Sequence, residues 1–216
     1  EAPLVVRAYL SSMSTSDFFA VMTLGMSTVA GSVLVLYASV LSPVTDAAVS
    51  QIVAASLLNI IGALYISRLF EPEKVSGISY EETTSSLNYD STMDALAKGT
   101  RDGITLAVNV GAMVLVLVSL VALANGALSI VNLIETPLSL ERIFGWIFSP
   151  IAWLIGIPWD ESAIGGSLLG TKLVLNELVA FIQLAEVAPE LSEHSIKVLT
   201  FALCGFANFG SLGILL

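Results

Sequence analysis

The chain has 216 residues, of which 56% are hydrophobic and only 12% charged, with a formal net charge of −10 and a mean hydropathy of +0.89. A soluble domain carries about twice that share of charge, so too little charge is present to cover a water-facing surface, and lipid is the expected solvent. The acidic balance, with no basic patch, argues against nucleic acid as a partner, and the single cysteine, Cys204, excludes an internal disulfide and a cysteine-based metal cluster.

The chain opens at Glu1-Ala-Pro without an initiator methionine or a basic leader and closes inside an apolar run at Leu216, so both ends are expected to be cuts. Crossing a bilayer takes about 20 apolar residues as a helix. Residues 18–45 carry no charge, and 47–67 form a second uncharged run between Asp46 and Arg68. The stretch 71–93 is polar and acid-rich, without apolar periodicity, and predicts a solvated loop. Residues 94–102 predict a short amphipathic surface helix, and 103–134, the longest uncharged stretch, one tilted or extended span. Arg68, Lys74, Lys98 and Arg101 all fall between the second and third spans, which places that loop on the cytoplasmic side.

Beyond Glu135 the pattern shortens. Residues 143–158 are apolar but interrupted by Pro150, and Trp146, Trp153 and Trp159 suit a membrane interface. Two apolar pieces follow, 162–175 and 178–185, separated by Asn176-Glu177. Neither can cross alone. Two half-length helices meeting at a polar turn predict a re-entrant hairpin, tolerated at depth where it lines a cavity. The last run, 198–216, is interrupted by Gly205, Asn208 and Gly210, and interrupted spans mark substrate sites in secondary transporters. The fold class expected is all-α: a polytopic membrane protein with broken transmembrane helices and a re-entrant hairpin.

Three positions stand out. Ser27-Thr28-Val29-Ala30-Gly31-Ser32 puts small and hydroxyl residues mid-span, either for close helix packing or as an unwound turn whose carbonyls and hydroxyls hold a cation. Glu177 is a carboxylate between apolar pieces, costly unless it meets water, a partner or a ligand. It is either a structural acid paired with Lys172, at a poor i, i+5 spacing, or, beside Asn176, a group for a ribose diol or base edge. Asn208 offers the same donor and acceptor capability, or serves as a polar contact between helices. His194 sits in a polar Ser-Glu-His-Ser turn and reads as solvated; no nucleophile–base pair stands out, so no enzyme is expected.

The segment Gly170-Thr171-Lys172-Leu173-Val174-Leu175-Asn176-Glu177-Leu178-Val179-Ala180-Phe181 resembles the G-x-K-x-x-x-N-E-F-V-A-aromatic signature of concentrative nucleoside transporters, departing at Leu178 where the family has Phe. Glu1-Ala-Pro resembles the end of that family's G-Q-T-E-A-P motif. Cys204-Gly-Phe-Ala-Asn-Phe-Gly-Ser211 is similar to its C-G-F-A-N-F-x-S motif, with Gly210 where Ser is common, and 94–113 is similar as well.

The resemblance implies a sodium- or proton-coupled secondary active importer of nucleosides, a homotrimer in the bacterial inner membrane, with no cofactor beyond the coupling ion. It implies that Glu1, Val33, Glu177, Phe206, Asn208 and Ser211 bind the nucleoside, and that Thr28 and the backbone of Val29 complete a sodium site. It also implies a transport-domain portion over 1–104, a scaffold-type span over 105–134, and the second hairpin with the broken last span over 135–216. The other reading is a channel, or a transporter for a different small polar solute; counterflow of labelled substrate separates carrier from channel.

Overall fold

The structure, a computed structural model, describes residues 13–73, 90–130 and 138–209, and within them every regular element is a helix. The first apolar run carries two helices, α1 (Thr15–Ser27) and α2 (Gly31–Leu41), followed by α3 (Ala48–Phe70) and α4 (Thr92–Leu128). Next come α5 (Leu140–Leu154), α6 (Ser162–Val174), α7 (Glu177–Val187), a 3-10 turn (Ala188–Glu190) and α8 (Glu193–Leu203).

The starts of these helices are written in short polar residues. Ser14, Ser91, Ser139, Asn176 and Ser192 each precede a helix and accept a backbone N–H from its first turn. Such caps satisfy donors that no helix can satisfy internally, and are worth about 0.5–2 kcal/mol each. Ser192 explains why α8 begins at Glu193, ahead of the uncharged run expected from residue 198.

Among the described residues two helices, α3 and α4, are long and apolar enough to cross a membrane. The surface helix expected at 94–102 and the span expected from 103 form one element: α4 runs without interruption through Gly103. An isolated glycine costs a helix only about 1 kcal/mol, and Lys98 pairs with Asp94 at 2.7 Å one turn away, so the amphipathic start extends the span. The expected domain division at 104/105 falls inside this helix.

The expected interruption at Pro150 is also absent, since α5 passes through it. What counts there is the packing against α6, which is backbone on backbone. A methyl group at Gly166 would sit 2.5 Å from the Gly145 carbonyl oxygen and 2.6 Å from the Ser149 nitrogen. One at Gly170 would sit 2.5 Å from the Phe144 Cβ. Small residues let two helices approach this closely, and dispersion then replaces the hydrophobic drive that lipid removes.

At the other edge, Arg68 near the end of α3 ties down the start of α1. Its guanidinium donates to Ser16 Oγ at 2.6 Å and to Asp17 Oδ1 at 2.7 Å, while Ser16 Oγ donates to the Glu71 carbonyl at 2.7 Å. Between these edges the core gathers Tyr37 and Leu41 of α2, Ile52 and Ala55 of α3, Phe181 and Leu184 of α7, and Leu199 and Leu203 of α8. The hairpin α6–α7 is thereby pinned against both α2 and α8.

Replacing Gly166 by Ala should therefore lower the thermal unfolding midpoint of the purified protein in detergent, since overpacking costs about 1–3 kcal/mol. Gly111→Ala, where nothing lies within 4 Å, serves as the control and should not lower it. Equal midpoints for the two variants would contradict the close α5–α6 contact.

Candidate functional site: a hairpin tip between two helix breaks

The hairpin reverses at Leu175 and Asn176. Leu175 closes α6 with φ −99° and ψ −93°, and Asn176 is fully extended. The Asn176 Oδ1 accepts the Val179 N–H at 2.9 Å. One lone pair of its carbonyl group thus caps α7, so the turn itself uses the amide, whose second lone pair and NH2 group keep their capacity.

Glu177 is the first residue of α7. There the partial positive charge of the helix N-terminus favours an anion. Its side chain is 2% exposed, among Tyr37 at 1% and Asn208 at 6%. Tyr37 donates its hydroxyl to Oε1 at 2.5 Å, and Asn208 Nδ2 donates to Oε2 at 3.0 Å. The Tyr37 ring is held in turn by stacking on Phe181, with centroids 4.7 Å apart. Among the described residues Glu177 forms no ion pair. Lys172, the partner considered from the sequence, instead donates to the Ala202 carbonyl at 2.8 Å. A carboxylate has roughly four lone-pair positions, so two neutral donors leave acceptor capacity for further hydroxyl or amide donors.

Asn208 reaches Glu177 from a segment that has left the helix. The α8 helix ends at Leu203, and Gly205 takes φ +152°, a conformation that favours glycine. The Phe206 carbonyl then accepts the Asn208 N–H at 3.1 Å, a tight turn that aims Asn208 back at the hairpin. Phe206 itself is half-buried in this segment.

The first apolar run breaks alongside. Between α1 and α2, Thr28 and Ala30 are extended, and the Thr28 hydroxyl donates to the Leu24 carbonyl at 3.1 Å. Donation uses its proton and leaves its oxygen lone pairs. Gly205 packs onto this break so closely that a Cβ there would lie 3.0 Å from the Ser27 oxygen and 3.4 Å from the Met26 oxygen. Carbonyls at a helix C-terminus lack partners within the helix, so oxygen donors are concentrated here. Val29 and Val33 pack against the core, with Val33 one turn before Tyr37 on the same face of α2.

The structure thus brings Glu177 and Asn208 together and sets Thr28 and Val29 beside the segment that carries Asn208. Glu1 and Ser211 lie outside the described residues. Tyr37 is the residue that sequence reasoning missed. Its signal was a phenol within an otherwise apolar helix, since a buried tyrosine hydroxyl usually finds a partner.

The model of a family described as "Na+ dependent nucleoside transporter C-terminus" matches residues 51–216. This chain belongs to that family. It is 40% identical over 223 residues to the nucleoside permease NupC of Helicobacter pylori, covering 100% of this chain and 52% of that protein. It is 34% identical to human solute carrier family 28 member 3, covering 100% of this chain and 33% of the relative. Among solved structures, CNTnw in an inward-facing substrate-bound state aligns with a TM-score of 0.74 at 39% identity, over 98% of this chain and 50% of that one. A CNTnw variant in an intermediate state aligns with a TM-score of 0.83 at 40% identity, over 99% and 52%. The chain spans about half the length of NupC and of the CNTnw chain.

Tyr37→Phe keeps the ring stacked on Phe181 but removes one donor from a buried carboxylate, at a cost of about 1.5–3 kcal/mol for a hydrogen bond to a charged group. The variant should unfold at a lower temperature in detergent than the wild type. Tyr65→Phe, at a position 72% exposed, should not. Indistinguishable midpoints would contradict the Tyr37–Glu177 bond.

Proposed function

We propose that the full-length protein is an ion-coupled secondary active importer of nucleosides, and that Glu177 is its docking point for the ribose hydroxyls. The observation that carries this reading is the Glu177 carboxylate itself. It is buried, without an ion pair among the described residues, and anchored by two neutral donors from two other elements. An intramembrane carboxylate held this way retains acceptor capacity for hydroxyl donors, which is what a ribose diol presents. Asn208 adds a donor and an acceptor beside it, while Val33 and Phe206 supply apolar surface for the base. Glu1 and Ser211 keep the roles that the resemblance gives them.

Sodium is the proposed coupling ion. The family's description supports it, as does the set of neutral oxygens at the α1–α2 break, where the Thr28 hydroxyl and the Val29 carbonyl are the proposed ligands. Unwound backbone carbonyls coordinate coupling ions in this way in secondary transporters. Gly205 bridges the two sites physically, lying against Ser27 on one side and leading to Asn208 on the other. Because relatives are described in inward-facing, intermediate and outward-facing states, the proposal includes alternating access. The portions that carry the two sites would move against a scaffold that includes 105–134, with the uninterrupted helix α4 joining the two, in a homotrimer in the bacterial inner membrane.

Glu177→Gln in the full-length protein, reconstituted in liposomes, should abolish sodium-driven accumulation of labelled uridine or adenosine while leaving membrane insertion intact. The amide keeps the shape but loses a charge-assisted acceptor worth about 1.5–3 kcal/mol. Wild-type uptake by this variant, or wild-type uptake indifferent to a sodium gradient, would contradict the corresponding half of the proposal.

A further inference from the structure

Lys172 has no part in the site as described, yet it places an ammonium among apolar helices, where a charge is expensive and seldom without a task. Its nitrogen donates to the Ala202 carbonyl at 2.8 Å. Ala202 belongs to the last turn of α8, which ends at Leu203. There carbonyls have no partner within the helix, and the partial negative charge favours a cation. Asn59, on α3, donates to a second carbonyl at this end, that of the C-cap residue Cys204, at 2.6 Å. Two side chains from two different helices therefore cap the end of α8.

The position of Lys172 in the hairpin gives this cap its meaning. It lies on α6, on one arm, while Glu177 opens α7, the other arm. The hairpin consequently grips the last broken segment at two points. Lys172 holds it at Ala202, before Gly205, and Glu177 holds it at Asn208, after Gly205. Between the two points the backbone takes the φ +152° turn at Gly205 and presses against the Met26 and Ser27 carbonyls at the α1 terminus. A lysine has a long aliphatic stem and can deliver its charged head to a distant acceptor, here the Ala202 carbonyl. A glutamine is one atom shorter, and a methionine of similar length has no donor.

We propose that Lys172 is a positioning residue for transport. By fixing the end of α8 it sets where Gly205 seats on the α1 terminus and where Asn208 meets Glu177, so it governs nucleoside affinity and cation affinity together. This rests on the reading of Glu177 and Thr28 given above. Its distinguishing consequence is the joint effect, because Lys172 itself touches neither proposed site, so a simultaneous loss of both affinities reports the seating of α8 rather than a lost ligand.

The test uses the full-length protein in liposomes, comparing wild type, Lys172→Met and Glu177→Gln at matched amounts of inserted protein. Lys172→Met should raise both the nucleoside KM and the sodium concentration giving half-maximal uptake by about tenfold, the equivalent of about 1.4 kcal/mol in each affinity. Wild-type values of both, or a loss confined to maximal rate, would overturn the proposal, since a merely structural lysine lowers only the amount of working protein. Should Lys172→Met fail to accumulate, Lys172→Gln is judged by the same two quantities. Glu177→Gln separates the failures. If it transports normally, the site reading falls and takes the proposal with it. If it is inactive while the lysine variant keeps wild-type affinities, the positioning role alone is overturned.

Discussion

The arrangement depends on one buried carboxylate. Removing an ion from water costs several kcal/mol even after the protein relaxes, and Glu177 recovers part of that from a helix N-terminus and two short hydrogen bonds, with no ion pair among the described residues. The donors come from α2 and from the segment beyond α8, so the carboxylate fixes three pieces of chain against one another. Lys172 is near enough to attract the carboxylate but does not pair with it, its nitrogen donating to the Ala202 carbonyl, and the groups that touch the oxygens are neutral. A ligand-binding acid benefits from neutral partners, because they orient the oxygens without consuming their capacity for further donors.

Around that point the backbone is irregular in three places: the hairpin tip, the α1–α2 break and the turn at Gly205. Irregular backbone at membrane depth survives where side chains or a lined cavity satisfy its polar groups. Each break has its own device: the Asn176 amide at the tip, the Thr28 hydroxyl on Leu24, and the Lys172 and Asn59 donors at the end of α8. The rest of the fold supplies rigidity. The α5–α6 contact is so close that two glycines of α6, Gly166 and Gly170, have no room for a Cβ, and it backs one arm of the hairpin.

Much of this is legible in the sequence where the signal is local. Two apolar pieces around Asn176-Glu177 predict the hairpin, and its observed arms are Ser162–Val174 and Glu177–Val187. Small and hydroxyl residues at 27–32 predict the first break as one alternative, and glycine with asparagine at 205–208 predicts the second. What escapes is the long-range partnership. Tyr37 meets a carboxylate 140 positions away, and nothing local distinguishes it from an interfacial tyrosine. Lys172 was weighed against the nearest acid in sequence, yet its acceptor is a backbone carbonyl 30 residues on, and a carbonyl leaves no mark on residue identity. Pro150 misleads in the opposite sense: the helix-breaking tendency of a single residue is overridden where the cap at Ser139 and the close packing of α5 on α6 favour continuity.

The most direct test of Glu177 as the docking point is an experimental structure of the full-length protein with a nucleoside and sodium bound. The account predicts ribose hydroxyls within hydrogen-bonding distance of the Glu177 carboxylate, with Tyr37 and Asn208 still holding it, and an ion at the Thr28–Val29 break. A nucleoside bound elsewhere, with Glu177 in contact only with protein, would contradict it.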